Sequence, residues 1–166
     1  MNTTPDPLWL AEFRGFFWGE GNFMIDLVER QIGNYLAWTA RVRVRVVQRD
    51  DEAQVLESIQ SVLGGHLYGH KRYKIVSAGN GREYVNHRQI TWQLQDKDTI
   101  EKVLDWLDGG LLPHSKRLQI AVMREAIAVM RARRYSYTDA QKLALRDLKS
   151  RLESLRKYAG VKELGG

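Results

Sequence analysis

Residues 13–23, FRGFFWGEGNF, are the most informative stretch for predicting the fold. They combine glycines, large aromatic residues and an acid in an order that packing of a single helix does not require. Two glycines, Gly15 and Gly19, stand four residues apart within a run of large aromatic side chains. An acid, Glu20, follows at once and has glycine on both sides. Glycine is a poor helix former. A helix that ends in this way therefore needs its glycines for something other than helix stability.

Apolar residues around this stretch recur at helical spacing, and Pro7 suits a first turn, so we predict a helix from residue 7 to about residue 19. Small residues four apart share one side of a helix and let another helix approach closely. Two explanations remain open: the glycines relieve crowding within one aromatic core, or the helix packs against its own copy in a homodimer. In a homodimer, the two Glu20 carboxylates would meet at the axis and could hold divalent ions next to phosphates.

Beyond Gly21 the pattern becomes extended and then alternates with helical periods. The predicted strands span residues 23–30, 36–47, 66–76 and 83–94. A helix capped by Asp50 or Asp51 and stopped at Gly64 separates the two strand pairs, and the remaining helices span residues 97–107, 115–134 and 138–158. This order predicts a single α+β domain over residues 1–166, with one four-stranded antiparallel sheet that carries its helices on one face.

The open face of the predicted sheet is rich in side chains that bind nucleic acids. In TARVRVRVV, alternate residues point to opposite faces, which puts a ladder of arginines on one of them. The outward positions of the second, third and fourth strands are Thr39, Arg41, Arg43, Arg45; Tyr68, His70, Arg72, Lys74; and His87, Gln89, Thr91, Gln93. Arginine and glutamine pair with base edges, and lysine or arginine neutralises phosphates. A merely solvated stripe is the alternative, but it would contain more glutamate, so we predict nucleic-acid binding.

Composition agrees with a soluble protein that has an anionic partner. The net charge is +6 and there is no cysteine, which suits an anionic partner and a reducing compartment and excludes disulfides and thiolate metal sites. No run of about 18 apolar residues suggests a membrane span, and the N-terminal residues lack a signal or transit peptide pattern. We therefore expect no membrane partner and an intracellular location.

The segment GFFWGEGNF resembles the signature of the LAGLIDADG homing endonucleases, often written LAGFIDGEGSF, with Gly15, Gly19, Glu20, Gly21 and Phe23 in register. Further segments resemble the family over nearly the whole chain: VVQRDDEAQVLESIQSVLGGHLY, WQLQDKDTIEKVLDWL, LLPHSKRLQIAVMREAI and SYTDAQKLALRDLKSRL. The resemblance implies an αββαββα fold with a saddle-like sheet. Because the signature occurs once, it also implies a homodimer that cleaves both strands of near-palindromic double-stranded DNA across the minor groove and leaves 3′ overhangs.

The resemblance also assigns roles to individual residues. Glu20 matches the metal-binding acid, beside the backbone carbonyl of Gly19, and the implied metal is Mg²⁺ or another divalent cation such as Mn²⁺. Gln48 matches a polar residue that orders water, and Lys116 matches the basic residue that stabilises charge near the scissile phosphate, with Arg117 as the adjacent fallback. Base-facing positions are Met24, Asp26, Val28 and Arg30 on the first strand and Thr39, Arg41, Arg43 and Arg45 on the second. The implied dimer interface includes Gly15, Phe16, Trp18 and Gly19, although Trp18 replaces the signature's first acid.

Three other functions remain open on the sequence. The same fold could serve as a maturase that assists RNA splicing or as a DNA-binding regulator without nuclease activity, or a structural dimer could bind anionic surfaces generally. The gene could lie in an intron or encode an intein. The protein would then act in the cytoplasm or nucleoid of a prokaryote or phage host, or in an organelle matrix if it is encoded there. On the last predicted helix, Leu145, Leu148, Leu152 and Leu155 are expected to pack on the domain. The basic residues Arg146, Lys149 and Arg156 are either solvated or in contact with the DNA backbone.

Overall fold

A computed structural model of the 166-residue chain describes residues 5–69, 75–77, 83–85 and 88–157. The described residues form the helices α1 (Pro7–Glu20), α2 (Ala53–Leu63), α3 (Lys97–Asp108), α4 (His114–Arg131) and α5 (Asp139–Lys157). The strands are β1 (Gly21–Ile32), β2 (Tyr35–Arg49), β3 (His66–Gly69), β4 (Ile75–Ser77), β5 (Glu83–Val85) and β6 (Gln89–Leu94), and a 3-10 turn at Asp50–Glu52 precedes α2. The strands β1, β2, β6 and β3 form one four-stranded sheet in that order, which confirms the predicted α+β class.

Contacts between Cα atoms divide the chain into two compact units, each assembled from two stretches. The first unit consists of Met1–Gly21 and Arg45–Leu94, and it contains α1, α2, the end of β2 and the strands β3 to β6. The second unit consists of Asn22–Val44 and Gln95–Gly166, and it contains β1, most of β2 and the helices α3 to α5. The single domain predicted from the sequence stays a prediction.

The helices begin where side chains satisfy the first backbone N–H groups. Asp6 caps α1 by accepting from Leu8 N at 2.9 Å and Trp9 N at 3.2 Å. Thr138 and Gln141 cap α5 reciprocally, each side chain accepting from the other's backbone N–H at 3.2 and 3.0 Å. None of the described helices is long and apolar enough to cross a membrane.

Each unit buries its own apolar side chains. In the first unit, Trp92 of β6 is fully buried, and α1 and α2 contribute further buried aromatic and aliphatic residues: Phe13, Phe17, Leu56, Ile59 and Leu63. In the second unit, the β1–β2 hairpin and the three helices contribute Phe23, Ile25, Val42, Val44, Ile100, Leu104, Met123, Ile127, Leu145, Leu148 and Leu152. The leucine spacing of α5 therefore forms a packing face, as predicted.

The β1–β2 hairpin has its predicted turn at Gly33 and Asn34. Gly33 takes a φ of 58° at the first central position of this two-residue loop, a conformation that favours glycine. Asp26 lies on β1 and Arg43 on the adjacent strand β2, and their side chains form an ion pair. The hairpin therefore joins its two strands both through its turn and across its outward side.

The prediction of two uninterrupted strands at residues 66–76 and 83–94 is wrong. β3 pairs with β6, whereas β4 pairs with β5 in a separate two-stranded sheet. In the first ladder Gly69 lies opposite Ile90; continuing that register would bring Ile75 opposite Tyr84, but Ile75 pairs with Val85. A shift of one residue changes which side chains share a face, so the two ladders cannot form one regular hairpin.

Candidate nucleic-acid interface

Glu20 is the last residue of α1, and the chain enters β1 directly at Gly21. The backbone N–H of Gly21 donates to Phe17 O, which closes the helix. Gly21 has a φ of −78°, which any residue can adopt, but a Cβ at this position would overlap the buried Phe17 ring. The glycine after the acid is thus needed for space. Close packing of Phe17 on the backbone fixes the junction from which the exposed Glu20 side chain extends.

Helix α1 has an aromatic side and a glycine side. Phe13 and Phe17 are buried, and their ring centroids lie 5.7 Å apart. Gly15 and Gly19 are exposed, and a Cβ added at either position would meet no described atom within 4 Å other than the neighbouring backbone of its own helix. Crowding within the described part of the chain therefore does not account for these two glycines.

Phe16 and Trp18, the aromatic members of the predicted dimer interface, are both half-buried in the single chain. Phe16 lines a pocket of about 420 Å³ between α1 and α2, together with Trp9 and Val55. A hydrogen bond from Trp9 Nε1 to Ser58 Oγ at 3.1 Å links the two helices beside this pocket. Phe16 thus combines partial exposure with a fixed packing environment.

Gln48 lies one residue before the end of β2 and is half-buried. The turn that follows is held at two points: Arg49 pairs with Asp51 at 2.8 Å, and Asp50 N donates to Arg88 O at 2.9 Å. The second bond ties the end of β2 to the residue before β6. Gln48 therefore lies directly before a turn that is held in place, in the same unit as Gly19 and Glu20.

Lys116 lies in the first turn of α4, where its backbone N–H donates to Pro113 O at 3.0 Å. Its side chain is half-buried, and burial lowers the pKa of the ammonium below its ordinary value, with the charge of Arg156 lowering it further. Lys116 and Arg156 belong to the second unit. The two residues are forty positions apart, so no local sequence pattern predicts that Arg156 lies close to Lys116.

The outward side of the β1–β2 hairpin is accessible over most of its length. Arg30, Thr39 and Arg41 are exposed, Val28 is 40% exposed, and Met24 and Arg45 are half-buried. Asp26 and Arg43 form an ion pair in which Arg43 Nη2 donates to Asp26 Oδ1 at 2.8 Å. The predicted base-facing side chains of these two strands are thus exposed or half-buried, and their contact with bases stays a prediction.

A pocket of about 280 Å³ lies on this side of the hairpin. It is lined by Asp26, Arg41 and Arg43 and also by Lys149 of α5 and by Gln95. From the sequence, Lys149 was either solvated or in contact with DNA; in the structure it lines the same pocket as three of the predicted base-facing residues. Gln95 was missed, although it continues the alternation of Gln89, Thr91 and Gln93. By contrast, Arg146 pairs with Glu29 at 2.6 Å.

The outward positions of β6 differ from the expectation. Gln89 is exposed, but Thr91 and Gln93 are buried at 0% and 6% exposure, so their predicted place on an open surface is wrong. Tyr68 lies opposite Thr91 in the β3–β6 ladder, and its hydroxyl donates to Gln93 Oε1 at 3.1 Å. The tyrosine side chain extends along this side of β6, and its hydrogen bond holds Gln93 inward. Four further predicted positions lie outside the described residues: His70, Arg72, Lys74 and His87.

Within the described part of the chain, no group of three or more His, Asp or Glu side chains is placed to hold a metal ion. The predicted metal ligand Glu20 is thus a single carboxylate per chain. Next to it in the sequence, Gly19 contributes a backbone carbonyl.

Comparisons with known proteins identify the class. A family model for LAGLIDADG endonucleases matches residues 13–127, which begin in the glycine-aromatic stretch and end within α4. The chain therefore belongs to the LAGLIDADG endonuclease family, a family of nucleases that act on DNA. A comparison with curated proteins gave no match.

Solved structures of homing endonucleases share the fold. The homing endonuclease I-TnaI is 15% identical, with a TM-score of 0.63 over 95% of this chain and 99% of that one. I-CvuI, solved with an I-CreI target that was not cleaved in the presence of Mg, is 19% identical, with a TM-score of 0.65 over 95% of this chain and 86% of that one. I-SmaMI, bound to an uncleaved DNA target in the presence of calcium ions, is 19% identical, with a TM-score of 0.62 over 93% of this chain. The chain spans about half of I-SmaMI, 49% of its length.

Proposed function

We infer that the protein is a homing endonuclease that cleaves both strands of a long, near-palindromic double-stranded DNA site by metal-dependent phosphodiester hydrolysis, acting as a homodimer. The observation that carries this proposal is Glu20. The acid of the family signature is intact, exposed, and fixed at the helix-to-strand junction by the packing of Phe17 against Gly21. The net charge of +6 supports an anionic substrate.

The glycine side of α1 supports the homodimer. Glycine lowers the stability of a helix by about 1 kcal/mol relative to alanine. At Gly15 and Gly19, an added Cβ would not clash with any described neighbour, so lack of space within the described residues does not explain the glycines. A second copy of α1 packed against this side would account for both residues, because its backbone could approach closely. The two-fold axis would then bring the two Glu20 side chains together.

The residues at this axis suit a hard divalent cation. Mg²⁺ is usually bound through one or two carboxylates together with waters and substrate phosphates, which fits one Glu20 from each copy and the carbonyls of Gly19. When bound, such an ion neutralises phosphate charge and lowers the pKa of a bound water. Gln48 would orient a water molecule through its amide, and the Lys116 ammonium would stabilise the negative charge that develops on the phosphate.

The outward side of the β1–β2 hairpin would bind the target. Its arginines can donate paired hydrogen bonds to guanine or neutralise phosphates, and Gln89 on β6 can pair with adenine. Thr91 and Gln93 are buried. Among the described residues, base reading would therefore fall mainly to β1 and β2. A homodimer would present two copies of this surface, which explains the expectation of a near-palindromic site.

Digestion of a randomised, inverted-repeat duplex library tests the proposal. The full-length protein is incubated with the library and Mg²⁺, and the ends produced are sequenced. We expect ends that share one near-palindromic site and carry short 3′ overhangs, and no such ends in a matched reaction containing EDTA. Retained DNA binding without any cleavage would contradict the nuclease assignment. Cleavage that continues in EDTA would contradict the metal dependence.

A further inference from the structure

The pocket of about 280 Å³ on the outward side of the β1–β2 hairpin is not formed by the hairpin alone. The strands contribute Asp26, Arg41 and Arg43, whereas Lys149 comes from the middle of α5 and Gln95 from the residue after β6. All five residues belong to the second compact unit. The pocket therefore joins α5, an element outside the sheet, to the predicted base-facing side chains.

The side chains that line this pocket have an excess of positive charge. Arg41, Arg43 and Lys149 are cations, and Asp26 is the one acid among the described residues that line it, which leaves a net charge of +2. Arg43 Nη2 donates to Asp26 Oδ1 at 2.8 Å, so the charge of this acid is balanced by a cation of the same pocket. The remaining positive charge favours an anionic ligand.

Lys149 is held less tightly than the other basic residue that α5 directs toward β1. Its Nζ lies 3.9 Å from Glu153 Oε1, and the two side chains are 39% and 52% exposed. Exposed ion pairs at such distances contribute little to stability. Arg146, one helical turn earlier, pairs with Glu29 of β1 at 2.6 Å. A ligand can therefore replace the contact of Lys149 more easily than that of Arg146.

The position of α5 indicates which part of DNA this pocket would meet. In the described four-stranded sheet β1 is an edge strand, and the Arg146–Glu29 pair shows that α5 lies beside it. The major groove of B-DNA is about 12 Å wide and admits a two-stranded ribbon. When β1 and β2 occupy the groove, a side chain beyond the edge of this ribbon meets the phosphate backbone. Lysine suits that contact because its ammonium binds phosphate as a point charge.

We propose that this pocket is a site for a DNA backbone phosphate, which the Lys149 ammonium binds once in each half of the target. The inference rests on the proposed function, because it requires the outward side of the β1–β2 hairpin to face DNA. It adds α5 to an interface otherwise formed by strands. Phosphate contacts carry no direct sequence information. Lys149 should therefore contribute to affinity and not to base preference.

Binding measured at several salt concentrations tests this role. Full-length wild type and Lys149→Gln are titrated, with Ca²⁺ in place of Mg²⁺, against a duplex selected by wild-type binding from a randomised library and against an unrelated duplex. Affinity should fall about tenfold for both duplexes in Lys149→Gln. The slope of log affinity against log salt concentration should decrease by about one per subunit. Lys149→Arg keeps the charge and should keep the wild-type slope.

Arg151→Gln is the matched control. Arg151 lies two residues beyond Lys149 on α5 and pairs with Glu125 of α4 at 3.1 Å. Its substitution removes the same charge from the same helix, but on the side that faces α4. The affinity and the salt slope of Arg151→Gln should therefore stay close to the wild-type values. An equal decrease of the slope in both variants would overturn the inference, because it would reflect net charge rather than a contact.

Ethylation interference identifies the phosphate. A duplex whose phosphates are randomly ethylated, and thereby neutralised, is separated into bound and free fractions. Wild type should show one position in each half of the target where ethylation weakens binding, and this interference should be absent in Lys149→Gln. An identical interference pattern, an unchanged salt slope, or a lost preference for one base would overturn the phosphate contact while the proposed function stands. A wild type that binds neither duplex would contradict the proposed function itself, and this inference with it.

Discussion

The outward positions of β2 and β6 have the same alternating pattern in the sequence but differ in how far their side chains reach. Arg41 is exposed and Arg43 is partly exposed, whereas Thr91 and Gln93 are buried. An arginine extends its guanidinium well beyond the backbone and stays accessible beside its neighbours. A threonine is too short to do so, and Gln93 is held inward by Tyr68. Alternation therefore sets the face that a residue occupies, and side-chain length and hydrogen bonding decide whether a ligand can reach it.

The same difference separates a region held by packing from one available for binding. The packed region centres on Trp92, whose Nε1 donates to Gly64 O at 2.8 Å. The proposed binding region is the outward side of the β1–β2 hairpin. Substitutions in the packed region should change stability and leave DNA affinity nearly constant. Substitutions in the proposed binding region should change DNA affinity and leave stability nearly constant.

The largest effect is expected at Gly65. Its φ of 86° favours glycine, and a Cβ there would lie 2.7 Å from Gln93 O and 2.9 Å from Trp92 Nε1. Gly65→Ala should therefore lower the free energy of unfolding by about 3 kcal/mol, measured by urea denaturation. Gly64→Ala is the matched control, because Gly64 also has a positive φ, 68°, but open space around its Cβ position. An equal loss in both variants would contradict the packing explanation.

The next effect tests the buried glutamine. Gln93→Ala removes the acceptor of the Tyr68 hydroxyl and leaves a void, so we expect a loss of about 1.5 kcal/mol in unfolding free energy. DNA affinity should change less than about twofold, since Gln93 is buried. A double-mutant cycle with Tyr68→Phe should show coupling between the two residues. A large loss of DNA affinity with unchanged stability would show instead that Gln93 contacts DNA.

The reverse result is expected for Arg41, which is exposed on β2. Arg41→Gln should change the free energy of unfolding by no more than about 0.5 kcal/mol. If Arg41 contacts a phosphate, the slope of log affinity against log salt concentration should decrease by about one per subunit. Binding measured at several salt concentrations gives this slope. An unchanged slope together with lower affinity for one base pair would instead make Arg41 a reader of bases.

Lys116 shares one property with each region: it is partly buried, like the packed residues, and it is a cation, like the arginines of the hairpin. Burial lowers its pKa in the folded protein below the ordinary 10.5. The unfolded chain thus binds more protons between the two pKa values, and stability should rise with pH in that window. If cleavage requires the ammonium, kcat/KM should fall as pH rises through the lowered pKa. Lys116→Arg keeps its charge, so its profile should lack this alkaline limb, and an identical limb would exclude Lys116 as the cause.

Sequence patterns were sufficient where local chemistry sets the structure. Pro7 and the aromatic spacing predicted α1, the leucines of α5 predicted its packing face, and Gly33 with Asn34 predicted the hairpin turn. The one-residue shift between the β3–β6 and β4–β5 ladders was not predictable, because register depends on which strands meet rather than on alternation within one strand.

Parts of the candidate site also required the structure. Glu20, Gln48 and Lys116 came from the family signature and its flanking segments, and their roles stay predictions. The pairing of Asp26 with Arg43 joins residues on two strands, and the approach of Arg156 to Lys116 joins two helices. Both depend on tertiary placement that no local pattern encodes. Alternation put Asp26 and Arg43 on one face but gave no sign that they touch.

Measuring the rate at which the Glu20→Gln variant cleaves DNA tests the central claim most directly. The substitution removes one charge and keeps the size of the side chain, and Glu12→Gln is its matched control because Glu12 is another exposed glutamate on α1. With the site recovered from the library digestion and with Mg²⁺ present, we expect Glu20→Gln to bind DNA as wild type does and to lose cleavage by at least about a thousandfold. Glu12→Gln should cleave at the wild-type rate. Cleavage by Glu20→Gln at a rate close to wild type would contradict the assignment of Glu20 as the metal-binding acid of this endonuclease.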